Sequence, residues 1–115
     1  MVADSKGGLI LRERELEKIL VDEVRKAKGR AYKWTSPGND GVPDRIVIMP
    51  GEVPVFLELK TDKGKLSSLQ QVQINKLRCM GQFVVVSYGA QGLIEFFKVI
   101  GIPDAAQRLE RRRSV

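Results

Sequence analysis

A chain of 115 residues is long enough for one domain with a single core and too short for two. Its 20 Lys and Arg against 14 Asp and Glu give a net charge of +6 and a pI near 9.7, which favours a polyanionic partner. There is no histidine and only one cysteine, which excludes His-based triads, zinc sites that need histidine and internal disulfides. Any chemistry must therefore use carboxylates, lysine, hydroxyls, amides or a hard metal ion.

The chain offers no run of about 18 apolar residues that could span a membrane. Asp4 and Lys6 interrupt the amino-terminal segment, so we expect no signal peptide. We accordingly expect a cytoplasmic protein without membrane contact.

The first half of the chain predicts one helix followed by three strands. Apolar residues recur at helical spacing over 12–28, and Gly29 supplies a stop. Segments rich in β-branched and aromatic residues predict strands at 31–35, 45–49 and 53–60. The turn-rich segment 36–41 lies between the first two strands and predicts a hairpin or exposed loop.

The second half predicts a helix, a buried strand and a last short helix. Ser67 and Gln70 have the capping-box spacing that begins a helix over 67–80. A strand over 82–88 and a helix over 92–100 complete the order α-β-β-β-α-β-α, which predicts an α/β fold with a mixed sheet flanked by helices. The core is expected at about 12–100, with residues 1–8 and 104–115 as loosely held ends.

The third predicted strand ends with an acid and a base on one face. Because side chains alternate along a strand, Glu58 and Lys60 project to the same side. Asp44 opens the preceding strand, and antiparallel pairing across a tight turn would bring its carboxylate near Glu58. Two acids and a lysine suit metal-assisted hydrolysis of a phosphodiester. The alternative is a structural ion pair between Glu58 and Lys60 at a strand edge.

The motifs also occur in an informative order. Gly41-Val42-Pro43-Asp44-Arg45 followed by Glu58-Leu59-Lys60 resembles the PD-(D/E)XK nuclease superfamily and, more narrowly, the VRR-NUC (virus-type replication-repair nuclease) family. The resemblance covers about residues 12–90. Further matching segments are Tyr32-Lys33-Trp34, Ser36-Pro37-Gly38, the run from Gly64 to Gln70, and Gly81 before the valine strand.

The resemblance implies a restriction-endonuclease-like core and a deoxyribonuclease that depends on Mg²⁺ or Mn²⁺. Asp44, Glu58 and the Leu59 carbonyl would bind the metal ion, and Lys60 would be the catalytic lysine. Candidate DNA contacts in or beside the matching segments are Lys33, Ser36, Arg45, Lys63 and Lys65.

The family also implies a glutamate on the first helix and a glutamine on the helix after the Glu-x-Lys strand. Gln70 matches the glutamine, although its capping role is an equally physical explanation. At about 100° per residue, Glu13 lies on the apolar face of the first helix, Glu17 on its border and Glu15 outside it. We therefore prefer Glu13, with Glu17 as the alternative, against the possibility that all three are solvated charges.

The expected function is a structure-selective endonuclease for branched DNA such as Holliday junctions, acting in DNA repair in a bacterial or phage-infected cell. A homodimer is expected, because two symmetric incisions are needed from a chain with room for one metal site. The alternatives are a less selective nickase or exonuclease and a non-catalytic DNA-binding subunit. Two basic segments are candidate phosphate-contacting patches or solvated surface: residues 25–33 and the arginines at 108 and 111–113.

Overall fold

The protein is built around a four-stranded mixed sheet with helices on both faces. The computed structural model describes residues 2–3 and 9–114, with side chains for 9–113. The helices are α1 (Glu13–Lys26), α2 (Ser68–Cys79), α3 (Gly89–Val99) and α4 (Pro103–Ser114). The strands are β1 (Val2–Ala3), β2 (Leu9–Ile10), β3 (Arg30–Lys33), β4 (Arg45–Ile48), β5 (Val55–Lys60) and β6 (Val84–Tyr88).

The main sheet has the strand order β3-β4-β5-β6. β3, β4 and β5 form an antiparallel series, whereas β6 pairs with β5 in parallel after the crossover through α2. Arg45 lies opposite Leu57 in one pairing, and Lys60 lies beside Tyr88 in the other. β1 and β2 form a separate short antiparallel pair. The predicted mixed sheet flanked by helices is confirmed.

The larger core lies between one face of the sheet and helices α1, α3 and α4. Val47, Leu57 and Leu59 point into it from the strands and are fully buried. The helices contribute Leu16, Leu20, Val24, Leu93, Ile94, Phe96, Phe97, Ala105, Ala106 and Leu109. Burial of this apolar surface is the main force that holds the layers together.

A smaller core lies on the opposite face, under α2. Ile74 and Leu77 of α2 pack with Val84, and the rings of Trp34 and Phe56 lie 5.3 Å apart beside them. β5 is consequently covered on both faces. This double cover explains why Glu58, whose side chain points toward α2, is only 1% exposed.

The prediction of a loosely held carboxyl end is wrong for the residues that the structure describes. Residues 103–114 form α4, because Ala105, Ala106 and Leu109 share one face and are each 1% exposed in the core. Arg108 secures the helix by donating bonds of 2.7 to 3.2 Å to the Glu23 carboxylate of α1. Of the predicted amino-terminal loose end, Val2–Ala3 form β1, and residues 1 and 4–8 lie outside the described residues.

The end of α1 also differs from the prediction. The helix ends at Lys26, and Lys28 rather than Gly29 adopts the left-handed conformation, with φ of 71°. Gly29 is needed for a different reason, since a Cβ there would lie 2.6 Å from the Ile48 carbonyl oxygen. Among the described residues, no helix combines the length and apolar character that a membrane span requires.

Candidate active site

Four chain segments meet at one edge of the sheet: the start of α1, the residue before β4, the end of β5 and the start of α2. Asp44 precedes β4, and its Oδ2 accepts a hydrogen bond of 2.9 Å from the Leu59 N–H. This bond holds the Asp44 carboxylate beside the end of β5, as strand pairing predicts. Because the amide and carbonyl of one strand residue point toward the same neighbouring strand, the Leu59 carbonyl also faces the Asp44 side.

Glu58 is a buried carboxylate with unequal oxygen environments. Its Oε2 accepts a 3.0 Å hydrogen bond from Gln70 Nε2 and lies 3.4 Å from Lys60 Nζ. Its Oε1 is buried, and no described residue offers it a hydrogen bond. Burial and the nearby negative charge of Asp44 raise the pKa of Glu58 to about 7, against the opposing effect of Lys60. The ionised carboxylate of Glu58 is therefore unfavourable in this environment unless a proton or a cation neutralises it.

The oxygen atoms at this edge fit a hard divalent cation. Asp44, Glu58 and the Leu59 carbonyl supply the carboxylate and carbonyl ligands that Mg²⁺ and Mn²⁺ prefer. The unpaired Oε1 of Glu58 supports the fit, because a cation would satisfy it. No three Asp, Glu, His or Cys side chains of residues 9–113 gather closely enough to hold a metal by themselves. Main-chain oxygen and water would therefore have to complete the coordination shell.

Gln70 makes both the capping-box bonds and a contact with Glu58. Its Oε1 accepts from the Ser67 N–H at 2.9 Å, and its backbone N–H donates to Ser67 Oγ at 3.1 Å. Its Nε2 donates to Glu58 Oε2. An amide side chain has separate acceptor and donor ends, so the capping box and the contact with Glu58 use different atoms.

The three glutamates of α1 have different environments. Burial first, and then the charges of Asp44 and Glu17, raise the pKa of Glu13, while Lys60 opposes them. Glu13 therefore faces the same site as Asp44 and Lys60. Glu17 lies 3.5 Å from a guanidinium nitrogen of Arg45, and Glu15 accepts a bond from the Arg12 N–H at the start of the helix. This arrangement favours Glu13 over the other two as the helix-one acid of the site.

Arg45, a candidate DNA contact, is engaged inside the protein. Its side chain is 16% exposed, donates to the Ala31 carbonyl at 3.1 Å and pairs with Glu17. It thus joins β3, β4 and α1, because the odd-numbered residues of β4 face α1. The structure gives Arg45 a bracing position rather than a free surface one.

The other candidate DNA contacts lie at the surface. Lys63 and Lys65 are exposed in the loop between β5 and α2, next to the carboxylates, and Lys33 is exposed at the end of β3. Ser36 is half-buried and its hydroxyl accepts a 3.1 Å bond from Asn39 in the same loop. Three lysines are therefore available to a ligand that approaches this side of the protein.

Gly41 has a positioning role that the sequence motif does not reveal. Its φ is +91°, and a Cβ there would lie 2.6 Å from the Leu69 carbonyl carbon and 2.8 Å from the Gln70 nitrogen. Only glycine combines this backbone conformation with so close an approach. The loop that carries Asp44 is thereby packed onto the helix turn that carries Gln70. The motif contains the glycine, but its contact partner is distant in the sequence.

The chain is similar to known proteins in sequence and in fold. No family model matches the chain. A protein named "Putative nuclease p44" from Acyrthosiphon pisum secondary endosymbiont phage 1 is 43% identical over 77 residues, which cover 67% of this chain and 83% of that protein. A solved VRR_NUC domain matches with a TM-score of 0.69 and 24% identity, over 75% of this chain and 94% of the other. The Holliday junction resolvase Hjc of Archaeoglobus fulgidus matches at a TM-score of 0.45 and 25% identity, over 62% and 64% of the two chains.

The phage relative and the fold together define a nuclease. The relative is similar over most of its own length, and the solved domain has the same architecture over nearly all of its chain. The chain belongs to the same family as this phage nuclease, and it has the fold of a VRR_NUC domain, in agreement with the resemblance seen in its motifs.

Proposed function

We propose that the protein is a DNA endonuclease that depends on Mg²⁺ or Mn²⁺ and acts through Asp44, Glu58, Lys60 and Glu13. One observation carries the proposal: a carboxylate at 1% exposure, with one oxygen unpaired, lies beside a second carboxylate and a lysine. A structural ion pair gives no reason for this arrangement, since an unsatisfied buried polar group costs about 1–3 kcal/mol.

Each residue of the site has a distinct task in phosphodiester hydrolysis. Asp44, Glu58 and the Leu59 carbonyl would hold the metal ion, which when bound supplies a Lewis acid for a phosphate oxygen and for water. Lys60, held 3.4 Å from Glu58 and 17% exposed, supplies a compact positive charge for the scissile phosphate or the nucleophile. Glu13 has a raised pKa and is suited to orienting a water molecule or accepting its proton. Gln70 is a positioning residue that fixes the rotamer of Glu58.

Several features support DNA as the substrate. The net charge is +6, and Lys33, Lys63 and Lys65 are exposed around the carboxylates. We further propose a preference for branched DNA such as Holliday junctions, cut by a homodimer in the cytoplasm of a bacterial or phage-infected cell during DNA repair. A single candidate site among the described residues supports the dimer, because symmetric assembly would supply the two incisions that a junction requires.

A cleavage assay tests the whole proposal. Labelled four-way junction, flap, nicked duplex, linear duplex and single strand are each incubated with Mg²⁺, Mn²⁺ or EDTA. Cleavage is expected only with a divalent ion and fastest on the junction. Asp44→Asn and Glu58→Gln should abolish it with the fold retained, because each removes charge from the metal site at nearly constant volume. Lys60→Ala should suppress cleavage and leave metal binding in place.

Other results would select the alternatives. Full activity in EDTA, or in Asp44→Asn, would refute the metal site. A monomer by light scattering, together with equal cleavage of junction and linear duplex, would indicate a nickase or exonuclease of low selectivity. DNA binding without cleavage under any metal condition would indicate a non-catalytic subunit.

A further inference from the structure

α4 carries three consecutive arginines in its last turn, and none of them belongs to the site described above. The direction of the helix decides where they lie. α3 begins at Gly89, directly after Tyr88, the β6 residue that pairs with Lys60. The short connection 100–102 makes α4 antiparallel to α3. The last turn of α4 therefore returns to the edge of the sheet where β5 ends.

A hydrogen bond fixes this return. Arg113 donates to the side chain of Gln91, which lies in the first turn of α3. The same turn contacts the loop after β5, since the Asp62 carboxylate packs so closely on the backbone of Gly89 that a Cβ there would collide with it. Lys63 and Lys65 lie in that loop. The loop, the start of α3 and the end of α4 thus form a continuous surface beside Lys60.

The arginines of α4 differ in their positions on the helix. Arg108 anchors the helix through three hydrogen bonds to the carboxylate of Glu23, a residue that is 8% exposed. Arg111 and Arg112 are exposed one turn further on. The anchor fixes the helix, and the turn beyond it carries the charge toward the active-site edge.

We propose that residues 111–113 and the loop lysines Lys63 and Lys65 form one phosphate-binding surface for the duplex arm of DNA next to the scissile bond. The inference rests on DNA as the substrate. Guanidinium groups form paired hydrogen bonds with phosphate. Successive residues of a helix point about 100° apart, so the three arginine side chains spread around the end of α4 and would reach different phosphates of the duplex. The surface binds any sequence, because it contacts the backbone alone.

The basic segment at the end of α1 provides a matched control. Arg25 and Lys28 are also cationic, but α1 ends beside Ile48, at the opposite end of β4 from Asp44. Arg111→Gln with Arg112→Gln removes two charges near the active-site edge. Arg25→Gln with Lys28→Asn removes two charges at the far edge, and asparagine tolerates the positive φ of position 28.

Binding of a labelled linear duplex is measured in EDTA by fluorescence anisotropy over a series of salt concentrations. The variant R111Q/R112Q should bind about tenfold more weakly at low salt, with a slope of log K against log salt smaller by up to about 2, because each phosphate contact contributes about 0.9. With Mg²⁺ it should raise KM for cleavage and retain kcat. The variant R25Q/K28N should match the unmodified protein in all these measurements.

An equal loss in both double variants would overturn the proposal, because net charge alone would then explain the binding. Unchanged binding in R111Q/R112Q would overturn it as well. If the double variant melts early, Arg111→Gln against Arg25→Gln gives the same comparison at two exposed positions. Cleavage by the unmodified protein is measured separately, so a failure of the proposed function is distinguishable from a failure of this surface.

Discussion

Replacement of Glu58 by glutamine should stabilise the metal-free protein even though it destroys the site. Glutamine keeps the volume of the side chain and an oxygen that can accept the bond from Gln70. It removes a charge that burial disfavours. The rise in the pKa of Glu58 from 4.5 to about 7 corresponds to about 3 kcal/mol, at about 1.4 kcal/mol per tenfold change in the proton equilibrium.

The sign of this effect follows from the direction of the pKa change. The folded state binds the proton more tightly than the unfolded chain, so this carboxyl favours folding at low pH. That contribution is complete below pH 4.5 and is lost as the pH rises through about 7. The two proteins should therefore be nearly alike at pH 4, and the variant should be more stable by about 3 kcal/mol at pH 8.

Urea unfolding in EDTA between pH 4 and pH 8 measures the difference directly, and a rise in Tm of about 10 °C at pH 8 should accompany it. Glu52→Gln, at an exposed turn position, is the control for removal of one carboxylate charge. Mn²⁺ should stabilise the unmodified protein and have little effect on Glu58→Gln. A variant that is less stable than the unmodified protein at pH 8, or a gap of equal size at pH 4 and pH 8, would refute the reasoning.

Three further substitutions test other parts of the structure. Glu13→Ala should lower the cleavage rate far more than Glu17→Ala. Glu17→Ala should instead lower the melting temperature, because it removes the ion pair with Arg45. A larger rate loss in Glu17→Ala would make Glu17 the active-site acid of α1. Gly41→Ala and Gly38→Ala each place an alanine at a positive φ, which costs about 1 kcal/mol. Only the Cβ at position 41 would collide with the backbone of α2, so steady-state cleavage should fall only in Gly41→Ala. Leu109→Ala should cost about 2–5 kcal/mol in urea unfolding, and a loss under about 1 kcal/mol would mean that α4 is loosely docked.

The predictable part of the site depends on short-range periodicity. The alternation of a strand puts Glu58 and Lys60 on one face whatever the rest of the fold does. Antiparallel pairing of β4 with β5 across the connection 49–54 then brings Asp44 to the end of β5, and the bond from the Leu59 amide agrees with that approach. These relations need only the order of neighbouring elements, so the sequence suffices for them.

The missed features depend on contacts between residues far apart in the chain. In the sequence of α4, the three buried apolar residues are interspersed with charged residues. The helix is held by the pair of Glu23 and Arg108, which are 85 positions apart. In the sequence, Arg45 resembles an exposed cation. The fold shows that α1 packs over it and that Glu17 faces it. The environment of a charged side chain depends on which other helices and strands pack over it. Periodicity within one element carries little information about that packing.

The same packing predicts that folding is linked to the metal binding proposed for this site. Glu58 is covered because β5 has a core on both faces. The capping box stabilises the start of α2 and uses the same Gln70 side chain that contacts Glu58. Above about pH 7 Glu58 is ionised, and burial then makes its charge unfavourable while one of its oxygens has no hydrogen bond. A divalent ion at this point would satisfy that oxygen and remove the electrostatic cost together. In the proposed site a bound metal ion would offset the cost of burying this carboxylate, so we expect substitutions that loosen α2 to weaken metal binding.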